Sequence, residues 1–134
     1  MPYLKTYDLF ISHAWDYNDE YYRLVAMLDG APNFKWRNYS VPEHDPLAGG
    51  RRLAQQLDGQ IRPVNAVLIL AGMYVNHRGW IQKEIELAQS YNKPLIGIRP
   101  WGNYNVPQVV AMTAETIVGW KTDSIVGAVR AHAI

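Results

Sequence analysis

The sequence contains no cysteine, which excludes disulfide bonds and thiol chemistry and is more typical of an intracellular protein than of a secreted one. Its apolar runs fall well short of the roughly 20 residues that a membrane-spanning helix needs, and its N-terminus has no signal-peptide pattern. Neither sign of charge is in excess, with 13 basic and 12 acidic residues spread along the chain. This balance argues against nucleic acid and against an anionic membrane as partners. We therefore expect a cytoplasmic protein.

Several motifs of nucleotide and metal enzymes are also missing. The chain has no GxxxxGK followed by Ser or Thr, no GxGxxG after its first predicted strand and no HExxH. Its four histidines lack the spacing of metal ligands, so we expect no metal site. Ser12 and His13 do not form a nucleophile with its base, because neighbours in an extended segment point to opposite faces.

What the chain does have is an alternation of short apolar segments with amphipathic ones. With 134 residues and 49% hydrophobic content, residues 1–134 are expected to form a single domain with one core. The predicted strands are Tyr7–Ile11, Lys35–Asn38, Val64–Leu70, Pro94–Ile98 and Thr116–Val118. The predicted helices are Glu20–Leu28, Arg51–Ile61, a helix within Met73–Tyr91, and Asp123–Ala131 with Thr122 or Asp123 as its cap. This alternation predicts an α/β fold, in which a central parallel sheet of about five strands carries helices on both faces.

In an open parallel sheet, ligands bind beyond the carboxyl ends of the strands, where the strand order reverses. This rule selects four segments: residues 12–15, the loop around Asp45, residues 71–74 and residues 99–101. Trp15, Trp80 and Trp101 come from these segments or from the helix that follows them. Their rings suit a planar ligand such as adenine or nicotinamide, and clamping of the loops onto the core is an equally good explanation.

Glu84 lies at an unusual place on its predicted helix. Ile81, Ile85 and Ala88 form an apolar stripe that should face the core, and Glu84 is about 70° from this stripe on the helical wheel. It is therefore expected at the edge of the buried surface, one turn after Trp80. Near a helix N-terminus and beside an aromatic ring, its carboxylate would be desolvated yet kept ionised by the helix dipole, as stabilisation of a cation requires. The alternative is an ordinary boundary glutamate that is hydrogen-bonded or reaches water.

Four segments occur in an informative order: DLFISHAW at the first strand, NYSVPEHDP in a loop, WIQKEIELA after a buried strand, and KPLIGIRPWG. Together they resemble the TIR-like family, which is typified by single-domain prokaryotic TIR-like proteins and the Thoeris antiphage sensor. The similarity covers nearly the whole chain. It implies a flavodoxin-like three-layer fold, and in catalytic members it implies NAD+ as a substrate rather than a bound cofactor.

The resemblance also implies a set of site residues. Carried over by position, Glu84 is the catalytic residue. The implied substrate-binding residues are Phe10, Ile11, Ser12, His13, Tyr39, Asp45, Tyr74 and Trp80. TIR proteins of animals and plants usually carry a different residue where His13 and Ala14 stand here, so their detailed contacts are not carried over.

One carboxylate is sufficient for this chemistry. The nicotinamide of NAD+ is already cationic and leaves as a neutral molecule, so no general acid is required and only the developing oxocarbenium ion must be stabilised. Capture by water then gives ADP-ribose, capture by the same molecule gives a cyclic isomer, and capture by another nucleophile gives an adduct. The sequence does not choose among these products.

The resemblance further implies head-to-tail self-association through the loop 39–50, with higher activity on assembly and a phage component as the trigger. The product would be a cyclic or conjugated ADP-ribose that diffuses to a separate effector in antiphage defence. Two alternatives stay open. One is a non-catalytic TIR-like assembly module, in which Trp80 and Glu84 only stabilise the fold. The other is a nucleoside-transferring enzyme on a similar sheet, acting on nucleosides rather than on NAD+.

Overall fold

A computed structural model of the chain describes residues 5–12, 18–39, 58–70, 78–99 and 108–134. Strands and helices alternate along these residues, as the sequence predicts. The strands are β1 (Thr6–Ser12), β2 (Lys35–Asn38), β3 (Ala66–Leu70), β4 (Leu95–Ile98) and β5 (Thr116–Val118). The helices are α1 (Asn18–Gly30), α2 (Arg78–Ser90), α3 (Gln108–Thr113) and α4 (Thr122–His132), and residues 58–61 are also helical.

The five strands form one parallel sheet in the order β2-β1-β3-β4-β5. This is the flavodoxin-like order, so the predicted α/β fold with a parallel sheet of about five strands is confirmed. The chain moves from β1 to one side of the sheet to form β2, and then crosses to the other side of β1 to form β3. The order therefore reverses between β1 and β3, whose carboxyl ends lie side by side.

Different helices cover the two faces of the sheet. Side chains alternate along β1, so Phe10 and Ser12 point to one face and Leu9 and Ile11 to the other. The crossovers through α1 and α2 run in opposite directions across the sheet, so right-handed connections place these helices on opposite faces. Glu84 of α2 is close to Ser12, which assigns α2 to the face of Phe10. The other face is covered by α1 and α4, which contact each other.

The helix α3 was not predicted from the sequence. It has only six residues, QVVAMT, and its β-branched residues favour a helix weakly, so no helical period is visible. Tertiary packing holds it in place. Val110 is fully buried over Gly97 of β4, where a Cβ atom would lie 3.1 Å from Val110 Cγ1 and 3.2 Å from Ile117 Cγ1. The lack of a side chain at Gly97 thus lets α3 approach the sheet closely.

Two predicted boundaries are wrong for local reasons. The strand predicted from Val64 begins at Ala66, because the Val64 N–H donates to Ile61 O and closes the turn after the preceding helix. The last helix begins at Thr122 with Lys121 at its N-cap, and this cap makes no side-chain hydrogen bond. Asp123 is inside the first turn instead of capping it, where its negative charge complements the helix dipole.

The core is apolar on both faces of the sheet. It includes Leu9, Phe10, Ile11, Leu24, Leu28, Val67, Leu68, Ile69, Ile85, Ala88, Ile96, Ile98, Ile125 and Val129. Among the residues that the structure describes, only two polar side chains are classed as buried, those of Ser12 and Glu84. None of the described helices is long and apolar enough to cross a membrane.

Candidate active site

The candidate site begins at the carboxyl end of β1. Ser12 is the last residue of this strand and is paired with Ile69 of β3. The strand order reverses between these two strands. Its side chain is fully buried. At this position β1 is paired with β3, whereas its pairing with β2 ends at Leu9.

Glu84 comes to the same place from α2, the helix after β3. Its side chain is only 1% exposed, and Ile85 and Ala88 of the same helix are fully buried. The predicted core-facing stripe is therefore confirmed at Ile85 and Ala88, but it is wider than the sequence indicates. Glu84 lies one turn before Ala88 and about 40° from it on the helical wheel, so it falls within the buried arc and not at its edge.

Ser12 and Glu84 hold the two buried polar atoms that lack ordinary partners. Neither Ser12 Oγ nor Glu84 Oε2 makes a hydrogen bond of normal geometry within the described part of the chain. The Ser12 hydroxyl is nevertheless close enough to favour the charged form of the Glu84 carboxyl group. Burying polar groups without full partners is costly, and most native structures avoid it. The two groups lie at the carboxyl end of β1, where the ligand crevice of an open parallel sheet is expected.

Burial raises the pKa of Glu84 well above its ordinary value, and the Ser12 hydroxyl opposes this by lowering it. This direction is opposite to the one expected from the helix dipole. Glu84 is the seventh residue of α2, whereas the dipole acts mainly within the first turn. Desolvation is the largest cause of the raised pKa of Glu84, and it disfavours the charged form of the carboxyl group.

The other predicted site residues are placed as follows. Phe10 is on the same face as Ser12 and is 1% exposed, whereas Ile11 is fully buried on the opposite face, so β1 does not bring Ile11 together with Glu84.

Tyr39 directly follows β2, donates its N–H to Leu9 O at 2.9 Å and packs against the core with a half-buried side chain. Trp80 lies in the first turn of α2, but its side chain is outside the described part. His13, Asp45 and Tyr74 are outside the described residues.

The pairing of Ser12 with Glu84 was missed at the sequence level, where Ser12 is assigned only to substrate binding. Two features of the sequence indicate that Ser12 and Glu84 come together. Ser12 ends the first strand and Glu84 follows the third, and these two strands become neighbours in a flavodoxin-like order. What the sequence does not provide is the depth of α2 against the sheet.

A separate depression of about 640 Å³ lies between α1 and the start of α4. It is lined by Arg23, Ala26, Met27, Trp120, Lys121 and Thr122. These residues belong to elements on the opposite face from Glu84, so the depression is distinct from the candidate site. The described residues contain no group of three or more His, Asp or Glu side chains that could hold a metal ion.

The model of one protein family, the TIR-like domain of Thoeris protein ThsB, matches residues 10–105. The chain belongs to this family. The match includes both Ser12 and Glu84 and ends before α3, and it confirms the family resemblance seen in the sequence.

The fold of this TIR-like chain is also similar to a solved structure of the CMP N-glycosidase BcmB from Clostridium botulinum. The TM-score is 0.50, the identity is 9%, and the similarity covers 92% of this chain and 98% of that one. At this identity the similarity shows a shared fold only. No curated protein matches the TIR-like chain in sequence.

Proposed function

We propose that this TIR-like chain cleaves the bond between nicotinamide and ribose in NAD+, with Glu84 as the catalytic residue. The observation that supports this most strongly is a buried carboxyl group beside the end of β1, at the reversal of strand order. Family membership supports the same assignment, because Glu84 lies within the matched residues.

In the proposed reaction, the bond from the ribosyl carbon to the nicotinamide nitrogen breaks and its electron pair goes to that nitrogen. Nicotinamide leaves as a neutral molecule, and the positive charge passes to the ribosyl oxocarbenium ion. The Glu84 carboxylate stabilises this ion electrostatically in surroundings that exclude most water. A nucleophile then forms the new bond to the ribosyl carbon; when the nucleophile is water, it loses a proton and the product is ADP-ribose.

This role requires the charged form of Glu84, whereas burial favours the neutral form. A cationic substrate resolves the conflict. A positive charge about 4 Å from a carboxylate interacts with it by about 4 kcal/mol at an effective dielectric constant of about 20. Binding of the nicotinamide cation would therefore lower the pKa of Glu84 and release its proton. A neutral analogue gains no such interaction, so the buried acid would help to select a cationic ring.

A second candidate function follows from the same raised pKa. A neutral nucleobase is a poor leaving group unless it is protonated, and a neutral Glu84 could act as the general acid that supplies this proton. The substrate would then be a nucleoside or nucleoside monophosphate. The CMP N-glycosidase of similar fold makes CMP a reasonable compound to test.

The proposal extends to the biological setting. The product would be a cyclic or conjugated ADP-ribose that carries a signal to a separate effector during antiphage defence in the cytoplasm. Self-association through the loop 39–50 and a phage component would increase the activity. The non-catalytic alternative, an assembly module, predicts that no nicotinamide is released under any of these conditions.

The test compares wild-type protein with Glu84→Gln and with Glu86→Gln as a matched control. Glu86 is on the same helix but exposed, so its replacement should leave turnover within about twofold. Glutamine fills the space of the neutral acid but cannot become an anion, and we expect a loss of a hundredfold or more. Each protein is incubated with NAD+ in extracts of uninfected and phage-infected cells, and mass spectrometry identifies nicotinamide and the ribosyl product. Equal turnover by wild type and Glu84→Gln would remove Glu84 from the mechanism.

A further inference from the structure

We propose that Ser12 is a positioning residue that acts on the reaction through Glu84 and not by contact with the substrate. Its hydroxyl would hold one oxygen of the ionised Glu84 carboxylate, which leaves the other oxygen to face the ribosyl carbon. This inference rests on the proposed function, because it assigns to Ser12 a part in the chemistry of Glu84.

The first argument is the position of the hydroxyl group. Ser12 is fully buried at the end of β1, where its backbone is paired with Ile69 of the neighbouring strand β3. Its side chain points to the face covered by α2, where Glu84 lies. The hydroxyl is therefore directed at the acid from a fixed backbone.

The second argument is the shortage of other donors. The side chains that share this face of the two central strands are apolar: Phe10 of β1, and Val67 and Ile69 of β3. Within α2 the charged neighbours of Glu84, Lys83 and Glu86, are exposed. Among the described residues that are buried in this region, Ser12 is thus the side chain that can donate a hydrogen bond to Glu84. Glu84 is the buried side chain there that can gain or lose a proton.

The third argument is the match between the two unsatisfied atoms. A serine hydroxyl offers one donor, and a carboxylate accepts a hydrogen bond more strongly once it has lost its proton. Ser12 Oγ and Glu84 Oε2 are both enclosed and both lack a well-formed hydrogen bond. A small rotation of either side chain, as Glu84 becomes ionised, would satisfy both atoms together. The hydroxyl would then favour the catalytically required form, in agreement with its lowering effect on the pKa of Glu84.

The test uses Ser12→Ala and Ser12→Thr, with Ser90→Ala as a matched control. Ser90 is an exposed residue at the end of α2 whose hydroxyl donates to Leu87 O at 2.7 Å, so its removal leaves the site unchanged. A carbon-13 NMR titration of the Glu84 carboxyl group, with circular dichroism as a check on folding, measures its pKa without any need for turnover. In parallel, kcat and KM for nicotinamide release from NAD+ are measured across the pH range.

In Ser12→Ala we expect the pKa of Glu84 to rise, the acid side of the kcat profile to move to higher pH, and kcat near neutral pH to fall roughly 10- to 100-fold. Ser12→Thr should restore all three because it keeps the hydroxyl, and if its extra methyl group disturbs folding, the Ser12→Ala titration still decides the matter. A Ser12→Ala protein with an unchanged Glu84 pKa and unchanged kcat would overturn the inference. So would a rise in KM alone, which would indicate substrate contact. Full activity of Glu84→Gln would instead overturn the proposed function itself, and the role of Ser12 in the reaction with it.

Discussion

Glu84 should make the stability of this protein fall as the pH rises, and Glu84→Gln should remove that dependence. Burial raises the pKa of this group in the folded chain above its ordinary value of 4.5 in the unfolded chain. Between these two pKa values the folded state retains a proton that the unfolded state has lost. Because the folded state binds more protons, the free energy of unfolding decreases with increasing pH.

The size of this pH dependence follows from the one proton that the folded state retains on Glu84 and the unfolded state has lost. The decrease approaches about 1.4 kcal/mol for each pH unit above the ordinary pKa, and it levels off once the folded-state pKa has been passed. Well below pH 4.5 the acid is neutral in both states and contributes no slope. Glutamine does not titrate, so the difference in unfolding free energy between wild type and Glu84→Gln should change steeply with pH.

Urea denaturation at half-unit steps from pH 4 to pH 8 measures this difference. Glu86→Gln is the control, since Glu86 is exposed on the same helix and its substitution should leave the wild-type slope nearly unchanged. If wild type and Glu84→Gln lost stability in parallel across the whole range, Glu84 would titrate alike in the folded and unfolded chains. The argument from desolvation would then fail, and with it the account of proton release on binding a cation.

Two further predictions concern the reaction and the packing. If Glu84 acts as a carboxylate on NAD+, kcat/KM should rise with pH through the pKa of Glu84. If it acts as a general acid on CMP, kcat/KM should fall with pH through the same pKa. For whichever substrate is cleaved, a pH profile of the opposite sign would refute the role assigned to Glu84. Gly97→Ala should lower the free energy of unfolding by about 1–3 kcal/mol, because its Cβ would lie 3.1 Å from Val110 Cγ1 and 3.2 Å from Ile117 Cγ1. Gly119→Ala is the control, as no atom lies within 4 Å of its Cβ, and equal urea midpoints for the two variants would contradict the proposed close packing of α3.

The sheet could be predicted because its strands are signalled by local sequence. Runs such as YDLFI and VNAVLIL are apolar at nearly every position, as strands buried on both faces must be. Their boundaries are less visible: Val64 belongs to the apolar run but closes a turn. The helix α3 gave no signal, since six residues with two adjacent valines show no helical period and owe their place to packing over Gly97.

For the candidate site, the sequence located Glu84 and the relevant edge of the sheet but not the state of the acid. The helical wheel places Glu84 near the apolar stripe, yet its full burial depends on how deeply α2 sits against β1 and β3. The same depth decides that desolvation outweighs the helix dipole. The assignments of His13, Asp45 and Tyr74 stay predictions, because these residues lie outside the described part of the chain.

Burial of the acid at position 84 lowers the thermal stability of this protein. An aliphatic residue of similar size would occupy the same volume without giving up contact with water, and the neighbouring apolar groups would accept it readily. Architecture alone therefore gives no reason for a glutamate here. Under the proposed function, the stability lost by burying this acid is the cost of keeping a carboxylate available for the reaction.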